Sequence, residues 1–391
     1  MKKSLLTVLL LLVSMATNAY DFMVDGIYYN INDGDSTVSV TYGDSWNDME
    51  GWIHIVGLYY GNVEVPQVVE YQGKTYVVTD IGSCAFEECG NLRSVIIPST
   101  VTRIASDAFR NSGVRSVSIP NSVTEIGNGA FTQCAELRSV TLPERLKVIS
   151  SSLFESSGLT SIVIPDSVTE IRIGAFAFTN LTSIFIPAKV ASIGSMAFLA
   201  CKNLESIQVS EDNQFYDSRG GCNAIIRTAS NYLLTACDNA FIPDGVVGIG
   251  MYGFDNCEKI TSVVIPASVT KIESWAFAQC DMLTEIICKA TIPPVVSKFS
   301  FSYEKSTLYV PQEAVETYRN TDYWKEFGTI LPIGYQESAD VNGDYVVNIA
   351  DVSIVIDAIL SGAFSSSCDV NLDGIVDIAD IIAIIDAILN Q

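Results

Sequence analysis

The chain has 391 residues, with 22 Lys and Arg against 45 Asp and Glu and a formal net charge of -23. Its length exceeds the usual single domain, so two or more folded units are expected, and 48% hydrophobic residues exclude a chain disordered throughout. The acidic field disfavours nucleic acid and anionic lipid as partners and favours cations.

At the N-terminus, Lys2 and Lys3 precede an apolar run from Leu5 to Val13 and then small and polar residues up to Ala19. The run is too short to span a bilayer, so residues 1–19 are predicted to be a signal peptide cut after Ala19. No later stretch is long and continuous enough for a membrane helix. An exported product, extracellular or at the cell surface, is expected. Residues 20–77, with "DGIYYNI" and the hairpin text "EYQGKTY", read as an N-terminal β cap.

From residue 78 the chain repeats itself: "VTDIGSCAFEECGNLRSVIIPST", "VTRIASDAFRNSGVRSVSIPNS", "VTEIGNGAFTQCAELRSVTLPER". Phenylalanines fall at 86, 109, 131, 154, 176, 198, 254 and 277, in steps of 22 or 23 broken once by 56. A fixed period of this size predicts a solenoid with one insertion. In each unit an L-x-x-L-x-L pattern, such as Leu159, Ile162 and Ile164, predicts a short alternating strand ending at a proline, here Pro165. The I-x-x-x-A-F segment is expected to return as a turn or short helical piece, with Ile and Phe in the same core. In outline the unit is "SVTEIGxxAFxxCxxLTSVxIP", which resembles the BspA-like leucine-rich repeats of secreted and surface proteins of anaerobic bacteria. The resemblance implies an α/β solenoid over residues 78–335, including a C-terminal cap at "LYVPQEAVETYRN". The insertion, about 211–243, is similar to a hairpin excursion of that family, with strands near Asn223 to Thr228 and Tyr232 to Ala236.

Five of the ten cysteines, Cys89, Cys134, Cys201, Cys257 and Cys280, sit three residues after a repeat phenylalanine, where other units carry Ser112, Ser157 or Thr179. Interchange with hydroxyl residues predicts a ladder of small side chains inside the coil. One bridge between Cys257 and Cys280, on neighbouring rungs, stays conceivable. The single histidine, His54, is expected to be structural, since no nucleophile motif accompanies it. Between the core positions of each strand, an outward column contains Ile96, Val163, Phe185 and Val264, and apolar residues there mark the preferred ligand face. Beside it Arg93, Arg115 and Arg138 recur on three rungs, either as a basic stripe reading anionic ligands or as solvated and paired side chains.

The chain ends by writing one phrase twice, "DVNGDYVVNIAD" at 340–351 and "DVNLDGIVDIAD" at 369–380, each followed by the same apolar helix text. From Asp340 onward there are nine aspartates and no Lys or Arg. A hard cation takes six to eight oxygens, supplied by a loop with acids or amides at positions 1, 3, 5, 9 and 12 and a carbonyl at position 7. The first loop offers Asp340, Asn342, Asp344, the carbonyl of Val346, Asn348 and Asp351. The second offers Asp369, Asn371, Asp373, the carbonyl of Ile375, Asp377 and Asp380. Two calcium ions are therefore expected. The first loop, with three carboxylates against four, is expected to be the weaker, and more so because Tyr345 stands at position 6 where the second loop has Gly374.

This pair resembles type I dockerin domains, built of two EF-hand-like loop-helix units that dock to cohesin modules in extracellular assemblies. The resemblance implies a small all-α domain at 336–391, with positions 10 and 11 helping to choose the partner; here these are Ile349, Ala350, Ile378 and Ala379. Either this apolar surface meets a cohesin-like receptor, or the Ile-rich helices pack mostly on each other, or the tail is only a calcium-stabilised cap.

The expectation as a whole is a secreted, non-catalytic recognition protein. Its repeats would bind a protein or glycan ligand, and its tail would attach it to a cohesin-like partner or a surface assembly. The alternative is an accessory subunit or hydrolase of an extracellular polysaccharide-degrading complex, which a carboxylate pair about 5 to 10 Å apart in a cleft would support.

Overall fold

A computed structural model describes residues 20–389 apart from 35, 44, 48–52, 56–57, 256 and 363–364, and gives only the backbone of 45–47 and 53–55. The predicted signal peptide, 1–19, and the side chain of His54 lie outside the described residues. The chain divides into two compact units, one up to Ser218 and one from Arg219.

In the first unit, antiparallel strands Phe22–Val24, Ile27–Ile31 and Thr37–Thr41 lead into a parallel pairing of Thr37–Thr41 with Lys74–Ile81. The predicted hairpin is present: Val68–Tyr71 pairs antiparallel with Lys74–Ile81. Its turn residues Gln72 and Gly73 both take positive φ, of 50° and 77°, as a tight two-residue hairpin requires. Lys74–Ile81 then pairs in parallel with Arg103–Ile104, and that with Glu125–Ile126.

Those two-residue strands show what the return side of each repeat is. The I-x-x-x-A-F segment is not helical: its isoleucine sits in a short parallel strand, and hydrogen-bonded turns follow. Two corners per repeat hold left-handed backbone, for instance Cys84 and Glu88, both at φ 58°. Between the corners the chain bonds its neighbour, with the Phe86 amide donating to Ala108 O at 2.7 Å, Phe109 to Ala130 O at 2.8 Å and Phe131 to Leu153 O at 2.9 Å. The repeats thus build a β-solenoid.

On the other side, strands such as Ser116–Ser118 and Ser139–Thr141 pair in parallel and in register. Most runs end at a proline, which has no N–H to continue the ladder, and turn through a bond such as Val123 N to Pro120 O at 3.0 Å, whereas Ser210 follows Ser206–Val209 and its amide donates on to Ile186 O at 2.9 Å. The unit containing Leu159, Ile162 and Ile164 departs from expectation. It forms no strand, because only isolated backbone bonds tie it to its neighbours, such as Thr160 N to Arg138 O at 3.2 Å and Thr182 N to Thr160 O at 3.3 Å. Its side chains still alternate, Leu159 and Ile164 buried and Val163 83% exposed.

The phenylalanines form one buried column per unit. Phe86, Phe109, Phe131, Phe154, Phe176 and Phe198 stack with centroids 5.0 to 5.7 Å apart in the first unit. In the second, Phe254, Phe277 and Phe301 follow at 4.9 and 4.8 Å. Phe301 is a further rung, where Ser300 replaces the alanine and sits fully buried, donating to Glu273 O at 3.1 Å.

The cysteine ladder is built as expected at several rungs. The thiols of Cys134, Cys201 and Cys280 donate to the carbonyls of Phe109, Phe176 and Phe254 at 2.9, 3.1 and 3.1 Å. Ser112 Oγ lies 3.5 Å from Cys134 Sγ and Thr179 Oγ1 lies 3.4 Å from Cys201 Sγ, which explains the interchange of thiol and hydroxyl. All ten cysteines are unbridged.

The second unit opens with the insertion, an antiparallel pair Ala224–Arg227 and Tyr232–Ala236 whose second strand joins Gly248–Ile249 in parallel. Strands Ser262–Ile265, Glu285–Cys288, Thr307–Val310 and Thr329–Pro332 form its main sheet. A short helix, Val315–Arg319, and buried Trp324 close that end, the indole donating to Pro294 O at 2.8 Å. No helix among the described residues is long and apolar enough to cross a membrane.

Two outcomes test this packing. Phe131→Ala should lower stability by about 3–5 kcal/mol in urea unfolding, whereas Val163→Ala should change it by about 0.5 kcal/mol or less. Burial pushes the Cys134 thiol up from 9.0 to about 11, with its hydrogen bonds from Ser112 opposing. Because the folded value is the higher, the stabilisation is complete below pH 9 and is lost as pH rises toward 11. The urea midpoint should therefore fall over that window, and fall less in Cys134→Ser.

Candidate functional site

The two acidic phrases fold as two loops leading into helices Ile349–Ser361 and Ile378–Leu389. In each loop the position-1 aspartate accepts from amides four and five residues ahead. Asp340 takes Asp344 N at 3.2 Å and Tyr345 N at 2.8 Å, and Asp369 takes Asp373 N at 3.0 Å and Gly374 N at 2.9 Å. The position-3 amide oxygens accept from the position-5 amides, Asn342 at 2.8 Å and Asn371 at 3.0 Å. The position-12 carboxylates, Asp351 and Asp380, are fully buried and reach back across the loop to Asn342 N and Asn371 N, each at 3.1 Å, and to Asn348 N and Asp377 N, each at 2.8 Å. Position 9 caps each helix: Asn348 Oδ1 accepts from Ala350 N and Asp377 Oδ1 from Ala379 N, both at 2.7 Å. The duplication in sequence is therefore a duplication in hydrogen bonding.

The backbone alters one expectation. Positions 4 and 6 are both left-handed, with Gly343 at φ 72° and Tyr345 at 66° in the first loop, and Leu372 at 62° and Gly374 at 86° in the second. Each loop thus supplies one glycine and strains one larger residue. Tyr345 gives the first loop no net disadvantage, and only the carboxylate count separates the two.

The donor set is oxygen throughout, as a hard cation requires, and no Lys or Arg follows Asp340 to compensate the acids. Among the described residues no group of three or more His, Cys, Asp or Glu side chains is drawn together to hold a metal ion. The loop carboxylates face backbone amides instead.

The two helices pack through Val352, Val355, Ile384 and Ala387 in a small core with Ala339, Val347, Cys368 and Val370. That core leaves much of the apolar surface outside: Ile349 is 71% exposed and Ile378 69%, at the first residue of each helix. Ala350 is exposed and Ala379 half-buried beside them.

In the outward strand column, Ile96, Val163, Phe185 and Val264 are all exposed. Phe185 lies opposite Gln208 and Val264 opposite Ile287. Arg93, Arg115 and Arg138 fall on successive rungs, tied by Arg115 N to Arg93 O at 3.3 Å and Arg138 N to Arg115 O at 2.9 Å. The Arg138 guanidinium donates to Ala135 O at 2.6 Å and Gly158 O at 3.3 Å, and Arg115 lies 4.0 Å from Glu136.

A β-solenoid carrying an outward face, followed by a doubled acidic loop-helix module, defines a repeat protein with an attachment module. The chain belongs to the family with BspA type leucine rich repeat regions, matched in six copies over residues 75–177, 103–219 and 225–321, and its residues 338–389 match the Dockerin type I domain. It is similar to the crystal structure of a leucine rich cell surface protein from Faecalibacterium prausnitzii A2-165, at 25% identity over 79% of this chain and 93% of that one, with a TM-score of 0.54. A pneumococcal vaccine antigen, PcpA, aligns at 16% identity over 80% of this chain and 98% of that one, with a TM-score of 0.46. No curated protein matches the chain. Repeats and dockerin domains are non-catalytic in kind, and together they support a protein-binding role in which the chain is attached to a surface or an assembly. Dockerin type I domains generally bind calcium, and usually cohesins.

The position-12 carboxylates can be tested without metal. Asp380→Ala leaves Val370 N, Asn371 N and Asp377 N without their acceptor, so in EDTA the second helix should lose about 1–3 kcal/mol of stability, read by far-ultraviolet circular dichroism during unfolding.

Proposed function

We propose that this is an exported, non-catalytic recognition protein whose repeats present a ligand surface and whose tail docks to a cohesin-like partner under calcium control. The observation that carries this reading is the doubled loop, in which the aspartates and amides of positions 1, 3, 9 and 12 accept the same backbone amides twice and every candidate ligand is an oxygen. Asp340, Asn342, Asp344, the Val346 carbonyl, Asn348 and Asp351 would hold one calcium ion. Asp369, Asn371, Asp373, the Ile375 carbonyl, Asp377 and Asp380 would hold the other. The ion supplies positive charge that offsets crowded carboxylates, which links its uptake to the order of the two helices.

Ile349, Ala350, Ile378 and Ala379 form the docking surface. Their support is exposure: Ile349, Ala350 and Ile378 face solvent, with Ala379 half-buried beside them, while a separate core already holds the helices together. On the repeats of the first unit, the column with Ile96, Val163 and Phe185 is the surface for a protein or glycan ligand, with Arg93 and Arg115 at its margin, and Val264 holds the same strand position in the second unit. Arg138 contributes less, since its guanidinium is engaged with carbonyls. On this reading residues 20–77 serve as an N-terminal cap, 78–335 as repeats with the hairpin insertion and a C-terminal cap, and 336–391 as the docking domain.

Calorimetric titration of the full chain should show two calcium events. Asp373→Ala should remove the tighter and Asp344→Ala the weaker; loss of the tighter event in Asp344→Ala contradicts the assignment. Immobilised full chain should capture one protein from an envelope extract of the source cells in calcium and not in EDTA. Ile349→Asp combined with Ile378→Asp should abolish that capture.

A further inference from the structure

One column of the second unit breaks the composition of its repeat. The position two residues before each core phenylalanine holds Cys84, Asp107, Gly129, Ser152, Gly174 and Met196 in the first unit, none of them aromatic. In the second unit the same position holds Tyr252, Trp275 and Phe299 on three consecutive rungs. The register is confirmed by the Trp275 amide donating to Phe299 O at 2.9 Å. These rings are not needed for packing, since Phe254, Phe277 and Phe301 fill the core beneath them. Trp275 is 41% exposed and Phe299 48% exposed.

Tyr252 and Trp275 adopt φ of 61° and 63°, the left-handed corner that the same position takes in the first unit, where Cys84, Asp107, Ser152 and Met196 also hold it. The indole of Trp275 and the ring of Phe299 lie parallel, 4.6 Å apart with 2° between planes, and Lys298 Nζ stands 5.8 Å from the Phe299 ring. Around them opens a cleft of about 360 Å³, bordered by Asp255, Gln279 and Lys298. Through Lys298 and Ser302 it adjoins a second of about 610 Å³ that reaches Tyr323, Glu304 and Glu326. Both volumes fall in the range of about 300–1,000 Å³ typical of small-molecule sites.

We propose that this aromatic turn column, with Asp255, Gln279 and Lys298 at its rim, is a carbohydrate-binding cleft that takes a neutral oligosaccharide. Stacked rings present a flat apolar surface to the C–H face of a pyranose, while carboxylate, amide and ammonium groups at the ring edges meet its hydroxyls. An apolar peptide segment fits less well, because it would strip water from the exposed Gln279 and Lys298 and return no hydrogen bonds. A uronic acid fits less well, because Asp255, Glu304 and Glu326 outnumber Lys298 and Lys305 around the two clefts. The adjoining cleft extends the path beyond a single sugar ring. The site lies on the turns rather than on the strand column, and it uses no residue of the calcium loops, so it stands or falls apart from the docking reading.

Affinity electrophoresis of the full chain tests it, in gels containing hydroxyethylcellulose, xylan, galactomannan or dextran, with alginate as the anionic control. At least one neutral polysaccharide should retard the protein, equally in calcium and EDTA. The combined Trp275→Ala and Phe299→Ala variant should bind at least tenfold more weakly while keeping the wild-type melting temperature. Should that variant melt early, Gln279→Ala at the rim carries the same test, with a loss of at least threefold expected. Migration unchanged by all four neutral polysaccharides overturns the proposal, as does retardation equal in alginate, or retardation that survives these substitutions.

Discussion

Each repeat is too small to bury its own phenylalanine, so its core exists only where rungs stack. Two interactions set the rung spacing together: parallel rings near 5 Å apart, and amides that donate across to the next rung between the two left-handed corners. Both demand identity at a few positions and tolerate anything elsewhere. That division is why the second unit can carry exposed Val264 on a strand and aromatic rings on its turns without disturbing its core.

The tail obeys a different constraint, which is charge. Nine aspartates lie in a segment with no Lys or Arg, yet the loops close because amides answer the carboxylates of positions 1 and 12 at corresponding places twice. Those bonds fix the loop outline and hold the helix starts in place through Asn348 and Asp377. They leave exposed isoleucines, Ile349 and Ile378, at the start of both helices. Attachment through the tail and recognition on the repeats are thus physically separable functions of one chain.

Much of this was legible in the sequence wherever periodicity carried it. The phenylalanine spacing, the Tyr232–Ala236 hairpin strand, the outward column and the twin loops all follow from repeating residue types. What escaped were features that periodicity does not encode. Phe301 is hidden because it lies 24 residues after Phe277, outside the steps of 22 or 23, and Val296 stands where the other units have isoleucine. The unit around Val163 kept the alternation of a strand but lacked its ladder, which depends on backbone register with both neighbours. The left-handed corners have no single residue signature, being occupied by Cys84, Glu88, Trp275 and Gln279 alike. For the same reason Leu372 went unnoticed as the counterpart of Tyr345, and the strain assigned to the first loop alone proves to be shared. The aromatic column was in plain view as Tyr252, Trp275 and Phe299, but only the rung register shows that they line one cleft.

The central claim is that the tail is a calcium-ordered attachment module on a scaffold that does not need the ion. Differential scanning calorimetry of the full chain in calcium and in EDTA measures it most directly. The account predicts one transition that moves to lower temperature in EDTA, belonging to the tail, and a second, belonging to the repeats, that does not move. Superimposable melts in the two conditions would contradict it.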